Sequence, residues 1–253
     1  MKRFNVKLRC RFFFFIIFIG LLTACSSGSN YAPVVNAWTQ PSADSGLYRV
    51  KKGDTLYSIA WAFGLDYRAL ATANHLKPPY EIHAGQTLRM TIIPREQEQK
   101  STIVTRKKAQ PVSKSKKSTK ERIYVAQWPA KPVTHWVWPA TGRIIDRFSA
   151  SLAGNNGINI AGRYGEPVRA ASNGIVVYSG AGVRGYGNLI IVKHNNSYLS
   201  AYAFNKRLMV KEGTRVRAGQ EIAEMGRDNS GKVMLHFEIR RNGKPVNPLK
   251  YLS

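Results

Sequence analysis

The chain has 253 residues, 39 of them lysine or arginine against 14 aspartate or glutamate, for a formal charge of +25. That length excludes a single small module and implies two compact domains with connecting segments. The charge calls for a partner or matrix of negative sign.

Lys2, Arg3, Lys7, Arg9 and Arg11 form a basic leader ahead of the apolar run Phe12 to Leu22. The run is much shorter than the ~20 residues that a membrane-spanning helix needs, so residues 1–24 read as an export signal. Leu22-Thr23-Ala24-Cys25 resembles a bacterial lipobox, which implies cleavage before Cys25 and its lipidation. An ordinary secretory signal with a chance cysteine is the alternative. Cys10 lies in the removed segment, so the mature chain keeps Cys25 alone and no intramolecular disulfide is available. The leader also carries five of the cations and no acid, which leaves +20 on the mature chain. Ser26 follows the cysteine where an acid would redirect sorting. By resemblance to lipoproteins of enteric-type bacteria, this implies anchorage through the lipid in the outer membrane, facing the periplasm. An exported chain does not meet nucleic acid, so peptidoglycan carboxylates, anionic lipid heads or an acidic protein are the expected partners.

Residues 25–46, rich in Ser, Gly, Asn, Ala and Pro, read as a tether. Tyr48-Arg49-Val50 then alternates like a short strand, and Gly53-Asp54 turns the chain. Leu56, Ile59, Ala60 and Phe63 recur at helical spacing until Gly64. Asp66 is a plausible N-cap for a second helix from about Tyr67 to Asn74, and a closing strand is predicted near Thr87 to Ile92. This β-α-α-β order over residues 47–93, with Gly53-Asp54-Thr55-Leu56, Asn74, Leu76, Ile82 and Gly85-Gln86-x-Leu88, resembles the LysM domain. The resemblance implies binding of peptidoglycan glycan strands in a shallow groove bordered by Gly53, Asp54, Thr55 and Leu56 on one side and by Asn74, Leu76 and Ile82 on the other. Each of these residues also has an ordinary structural use, as cap, core or turn, which leaves backbone groups to supply much of the sugar recognition.

From 95 to 122 the sequence holds ten Lys or Arg against three Glu and few apolar residues, so 94–135 reads as a flexible basic linker. Those 28 residues average roughly 30 Å end to end as a coil and stretch to about 90 Å. One domain can then hold the wall while the other searches.

Residues 136–253 show Trp138-Pro139-x-x-Gly142, Gly174-Ile175-Val176-Val177-Tyr178, Leu189-Ile190-Ile191-Val192, Tyr198 to Tyr202 and His236 to Arg240 as short strands between glycine turns. Asn242-Gly243 signals a hairpin, and no long amphipathic helix is present. A mainly antiparallel β domain with one open groove follows. Asn155-Asn156-Gly157-Ile158-Asn159, Tyr202-Ala203-Phe204 and Met234-Leu235-His236-Phe237-Glu238 resemble the zinc motifs of the LytM (M23) endopeptidases, His-x-Gly-x-Asp, Tyr-Ala-His and His-x-His-Phe-Glu.

Carried across, the metal-binding His and Asp become Asn155 and Asn159, while the two histidines serving water and oxyanion become Phe204 and Met234. His236 alone survives. A catalytic zinc takes three protein ligands of imidazole, thiolate or carboxylate type plus a water. Two amides and one imidazole fall short of the roughly 10–16 kcal/mol that structural sites supply. Even with a metal, Phe204 and Met234 neither accept a proton from water nor donate to an oxyanion. Zinc, other cofactors and hydrolysis are therefore not expected. His75, His83, His135 and His194 offer no substitute constellation. What remains is a concave surface of Phe204, Met234 and His236 beside Asn155, Asn159 and Tyr202, with Arg163 and Arg184 as cationic rims, suited to a protein segment.

Lipobox, LysM, cationic linker and degenerate LytM domain together resemble the NlpD-like activators of periplasmic N-acetylmuramyl-L-alanine amidases. The resemblance implies a non-catalytic protein that docks on an amidase and displaces an autoinhibitory helix during cell-wall hydrolysis and daughter-cell separation. A passive wall-binding scaffold and an active zinc endopeptidase are the competing classes.

Overall fold

The computed structural model describes residues 46–91, 133, 135–151 and 155–253. The leader, Cys25, nearly all of the tether and nearly all of the basic linker lie outside the described residues.

In the first domain β1 (Leu47–Arg49) pairs antiparallel with β2 (Thr87–Arg89) around two seven-residue helices, α1 (Leu56–Ala62) and α2 (Tyr67–Ala73). Thr55 caps α1 through a reciprocal box in which Thr55 Oγ1 accepts from Ser58 N and Ser58 Oγ accepts from Thr55 N. The helix stops at Gly64, where the Leu65 amide donates to Ala60 O and the Gly64 amide to Trp61 O, the paired closure that a left-handed glycine permits. Asp66 caps α2 as expected, accepting from Arg68 N and Ala69 N.

The second domain is a ten-stranded antiparallel sheet among the described residues. Its central order is β3 (Ile144–Asp146), β4 (Ile158–Ala161), β11 (Met234–Arg241), β8 (Tyr198–Leu208), β7 (Asn188–Lys193), β6 (Gly174–Gly180) and β9 (Arg215–Val216). β10 (Glu221–Met225) pairs with β8 and with β5 (Pro167–Arg169), and β12 (Lys244–Val246) pairs with β11 through the Asn242-Gly243 turn. Both turn residues have positive φ, 51° and 78°, as a two-residue hairpin of the primed type requires. Trp138 to Gly142, expected as a strand, is a bend instead. Pro139 has no N–H for a ladder, and the segment keeps only separate backbone bonds to β5 and its neighbour, Arg169 N to Pro139 O and Val137 N to Ala171 O.

Side chains alternate across the sheet. One face, with Ile158, Ile160, Val168, Ile190, Tyr202, Leu235, Phe237 and Ile239, closes a core of the second domain's own. The other face, with Ile175, Val177, Leu189, Ile191 and Ala201, is continuous with the core of the first domain, including Leu56, Trp61, Tyr67 and Leu70. The two domains, which the sequence suggests as working at arm's length, are thus packed together. At the seam Arg240 lies 3.7 Å from the centre of the Trp61 ring and donates from Nη1 to Trp61 O at 2.8 Å. Arg68 Nη2 donates to Asn242 Oδ1 at 3.0 Å. Lys193 sits buried with its Nζ 5.5 Å from the Tyr67 ring and 6.0 Å from the Tyr57 ring.

Candidate functional site

The sheet register brings the degenerate motif positions together. His236 lies opposite Asn159 on β4 and Ala203 on β8, and Met234 lies opposite Ala161. Gly157 is required by this closeness, because a Cβ there would stand 2.1 Å from Phe237 O.

His236 Nδ1 is 2.7 Å from Asn159 Oδ1, and Asn159 Nδ2 donates onward to Asp146 Oδ2 at 2.9 Å. His236 Nε2 faces Glu238 Oε1 at 3.1 Å. Both ring nitrogens therefore meet oxygen acceptors. Asn155 is engaged locally, its Oδ1 accepting from Gly157 N at 3.3 Å. Two amides and one doubly engaged imidazole do not form the donor set of a zinc site. Among the described residues no group of three His, Cys, Asp or Glu is arranged to hold a metal.

Phe204 and Met234 are buried, and Phe204 adopts φ 63° with its ring 6.1 Å from that of His236. Tyr202 lies on the opposite face, fully buried, with its hydroxyl accepting from Ala171 N and Ser200 Oγ. Arg163 and Arg184 are exposed. The structure thus sets Asn159 and Phe204 beside His236, with Met234 two residues along the same strand, and places Tyr202 on the other face. His194 belongs to the far core, bonded to Asn173 O and Ser200 Oγ, and burial pushes its pKa down to about 4 despite the Asn173 bond.

A buried ionic network extends the site in a direction that the motifs do not announce. Glu238 accepts from Tyr186 Oη at 2.7 Å and from Arg240 Nε at 3.0 Å, and Arg240 Nη2 donates to Tyr186 Oη at 3.2 Å. Burial raises the Glu238 pKa, but Arg240 and then His236 hold the carboxyl down at about 2. The available signal was the alternation of His236, Glu238 and Arg240, three ionisable side chains interleaved with the apolar Leu235, Phe237 and Ile239.

In the LysM-like domain the proposed sugar-groove side chains serve the fold. Asp54 Oδ2 accepts from Lys51 N and Tyr48 Oη, Thr55 caps α1, and Leu56 is in the core. Asn74 donates to Leu70 O and Arg89 O and accepts from Arg89 N, while Leu76 and Ile82 pack against the core. Gly53 turns the loop with φ 88°. Lys52, Gly53 and Asp54 border a cleft of about 500 Å³ whose other wall is Tyr178 to Gly182 with Lys211 and Glu212. Burial raises the Glu212 pKa there, against a bond from Ser179 N.

Residues 48–91 match the LysM domain, and residues 153–248 match Peptidase family M23. The chain is 42% identical to the Lipoprotein NlpD/LppB homolog of Pseudomonas aeruginosa, over 96% of this chain and 92% of that protein. It is 37% identical to the Murein hydrolase activator NlpD of Escherichia coli, over 83% and 69%. To the Uncharacterized lipoprotein YgeR of the same species it is 39% identical, over 94% and 90%.

Proposed function

The chain belongs to the NlpD/LppB lipoprotein family, and we propose that it is a non-catalytic, wall-bound activator of a murein hydrolase, namely an N-acetylmuramyl-L-alanine amidase of the periplasm. The reading rests on one observation. The M23 sheet keeps its register around His236, but the neighbouring positions hold amides, a phenyl ring and a thioether that neither retain zinc nor move a proton. The domain then acts by contact, shifting an amidase toward its open form. Each tenfold change in the open-to-closed ratio asks for about 1.4 kcal/mol of differential binding. The LysM domain holds glycan strands largely through backbone groups, and a lipid on Cys25 fixes the chain to the outer membrane on its periplasmic side. Cell-wall hydrolysis and daughter-cell separation are the processes served.

The test combines the mature chain carrying Cys25→Ser, a purified periplasmic amidase and dye-labelled sacculi. Dye release by the mixture beyond that of the amidase alone supports activation. Release by the chain alone, together with stoichiometric zinc in the purified protein, marks an endopeptidase. Binding to sacculi with no stimulation of any amidase marks a scaffold.

A further inference from the structure

The contact between the LysM helices and the M23 sheet covers the same face that carries the degenerate site. Trp61 of α1 stands 6.4 Å from Tyr186, whose ring is 6.1 Å from His236, and Arg240 on the motif's own strand is sandwiched beneath Trp61. In this arrangement Tyr186 and Arg240 are 2% and 4% exposed, so a protein partner has almost no access to them.

The seam is built to be releasable. Lys193 is 3% exposed, and no carboxylate neutralises it among the described residues; burial and then Arg68 lower its pKa. A buried cation held only by two tyrosine rings regains hydration when the domains part. The buried Tyr57 hydroxyl finds no hydrogen-bond partner at the same seam, and the cleft between the Gly53-Asp54 loop and Tyr178 to Gly182 leaves part of the boundary unfilled. Permanent interfaces resemble a domain core, and this one contains an unneutralised charge, an unpaired hydroxyl and a gap.

We propose that the LysM domain is an intramolecular latch on the M23 sheet: docked, it closes the face around Tyr186 and Arg240, beside His236, and released, it exposes that face to the partner hydrolase. The inference rests on the activator reading for its biological output, but the docking itself is measured separately.

Gly243 gives the means of opening the latch. A Cβ there would meet the Asp66 backbone, 2.6 Å from its N and 2.8 Å from its Cα, so Gly243→Ala drives the hairpin against α2. Gly219→Ala supplies the control, because Gly219 has nearly the same φ, 77° against 78°, with nothing within 4 Å. Lys193→Met works in the opposite direction by removing the buried charge while keeping the length.

Small-angle scattering and amidase-dependent dye release are measured on these variants of the mature Cys25→Ser chain. Gly243→Ala is expected to expand the chain and to raise release at sub-saturating concentration by about threefold or more. Lys193→Met should stay compact and release less, and Gly219→Ala should match wild type in both. An expanded Gly243→Ala with unchanged release overturns the latch, as does a wild type already expanded in solution. Should Gly243→Ala misfold, unchanged release by Lys193→Met overturns it alone. If wild type stimulates no amidase, the activator reading fails and the latch falls with it, an outcome told apart by the wild-type lane.

Discussion

Glu238 has no exposed surface, yet its environment keeps it ionised: burial raises its pKa, and Arg240 with His236 brings it from the ordinary 4.5 to about 2. A carboxylate depressed in the folded state contributes stability that is present above its unfolded pKa and lost as pH falls toward the folded one, here between about 4.5 and about 2. A shift of this size is worth on the order of 3 kcal/mol. Glu238→Gln leaves Arg240 buried without a counter-charge and should cost about 3–5 kcal/mol at neutral pH. Urea denaturation from pH 7 to 2 checks both points, since the variant should lose the acid slope in that window. His194 acts higher on the scale. Its folded pKa of about 4 lies below the ordinary 6.5, so its contribution is complete above 6.5 and fades as pH falls to about 4. His194→Gln should flatten the denaturation midpoint between those limits, and an unchanged slope would exclude the histidine as its source.

Among elements, α2 and β2 are tied by one amide. Asn74 bridges Leu70 O and both backbone groups of Arg89. Asn74→Ala should therefore lower LysM stability by about 2 kcal/mol while folded molecules keep their affinity for sacculi. Full stability with lost binding would instead place the amide on the sugar. The β-α-α-β order, the α2 cap and the Asn242-Gly243 hairpin were legible because periodicity, caps and turn residues are local signals. The face shared by Met234, His236 and Glu238 was legible for a similar reason, since alternation along one strand fixes it. The burial of Phe204 and Met234 was not, and neither was the seam. Tyr57, Trp61 and Tyr67 fall at ordinary core spacing in their helices, and Trp61 meets a partner 179 residues away. Local patterns say that a face is apolar without saying what covers it. Pro139 was the opposite case, a residue whose missing N–H argued against the strand that its neighbours suggested.

For the whole molecule, charge is the dominant long-range property. No helix among the described residues is long and apolar enough to cross a membrane. Seven of the net positive charges lie between residues 95 and 122, between the two folded domains. Attraction of these charges to a carboxylate-bearing wall is screened by salt. Binding of the mature chain to sacculi should fall about tenfold or more between 0.1 M and 1 M NaCl, as the Debye length shrinks from about 10 Å to about 3 Å. Replacing the ten Lys and Arg of residues 95–122 with glutamine should remove most of that dependence in a pelleting assay; an unchanged slope would assign it to the folded domains.

The strand register around His236 also bears on ancestry. Asn159 and His236 face each other across β4 and β11, with Gly157 holding the strands at close range, and Asn155 lies three residues ahead of β4. Asn155→His with Asn159→Asp should then suffice to capture zinc, as competition against a chromophoric chelator would record. Zinc captured by those two substitutions would mean that side chains alone separate this sheet from a metal-bearing one, and that its strands keep a route back to chemistry.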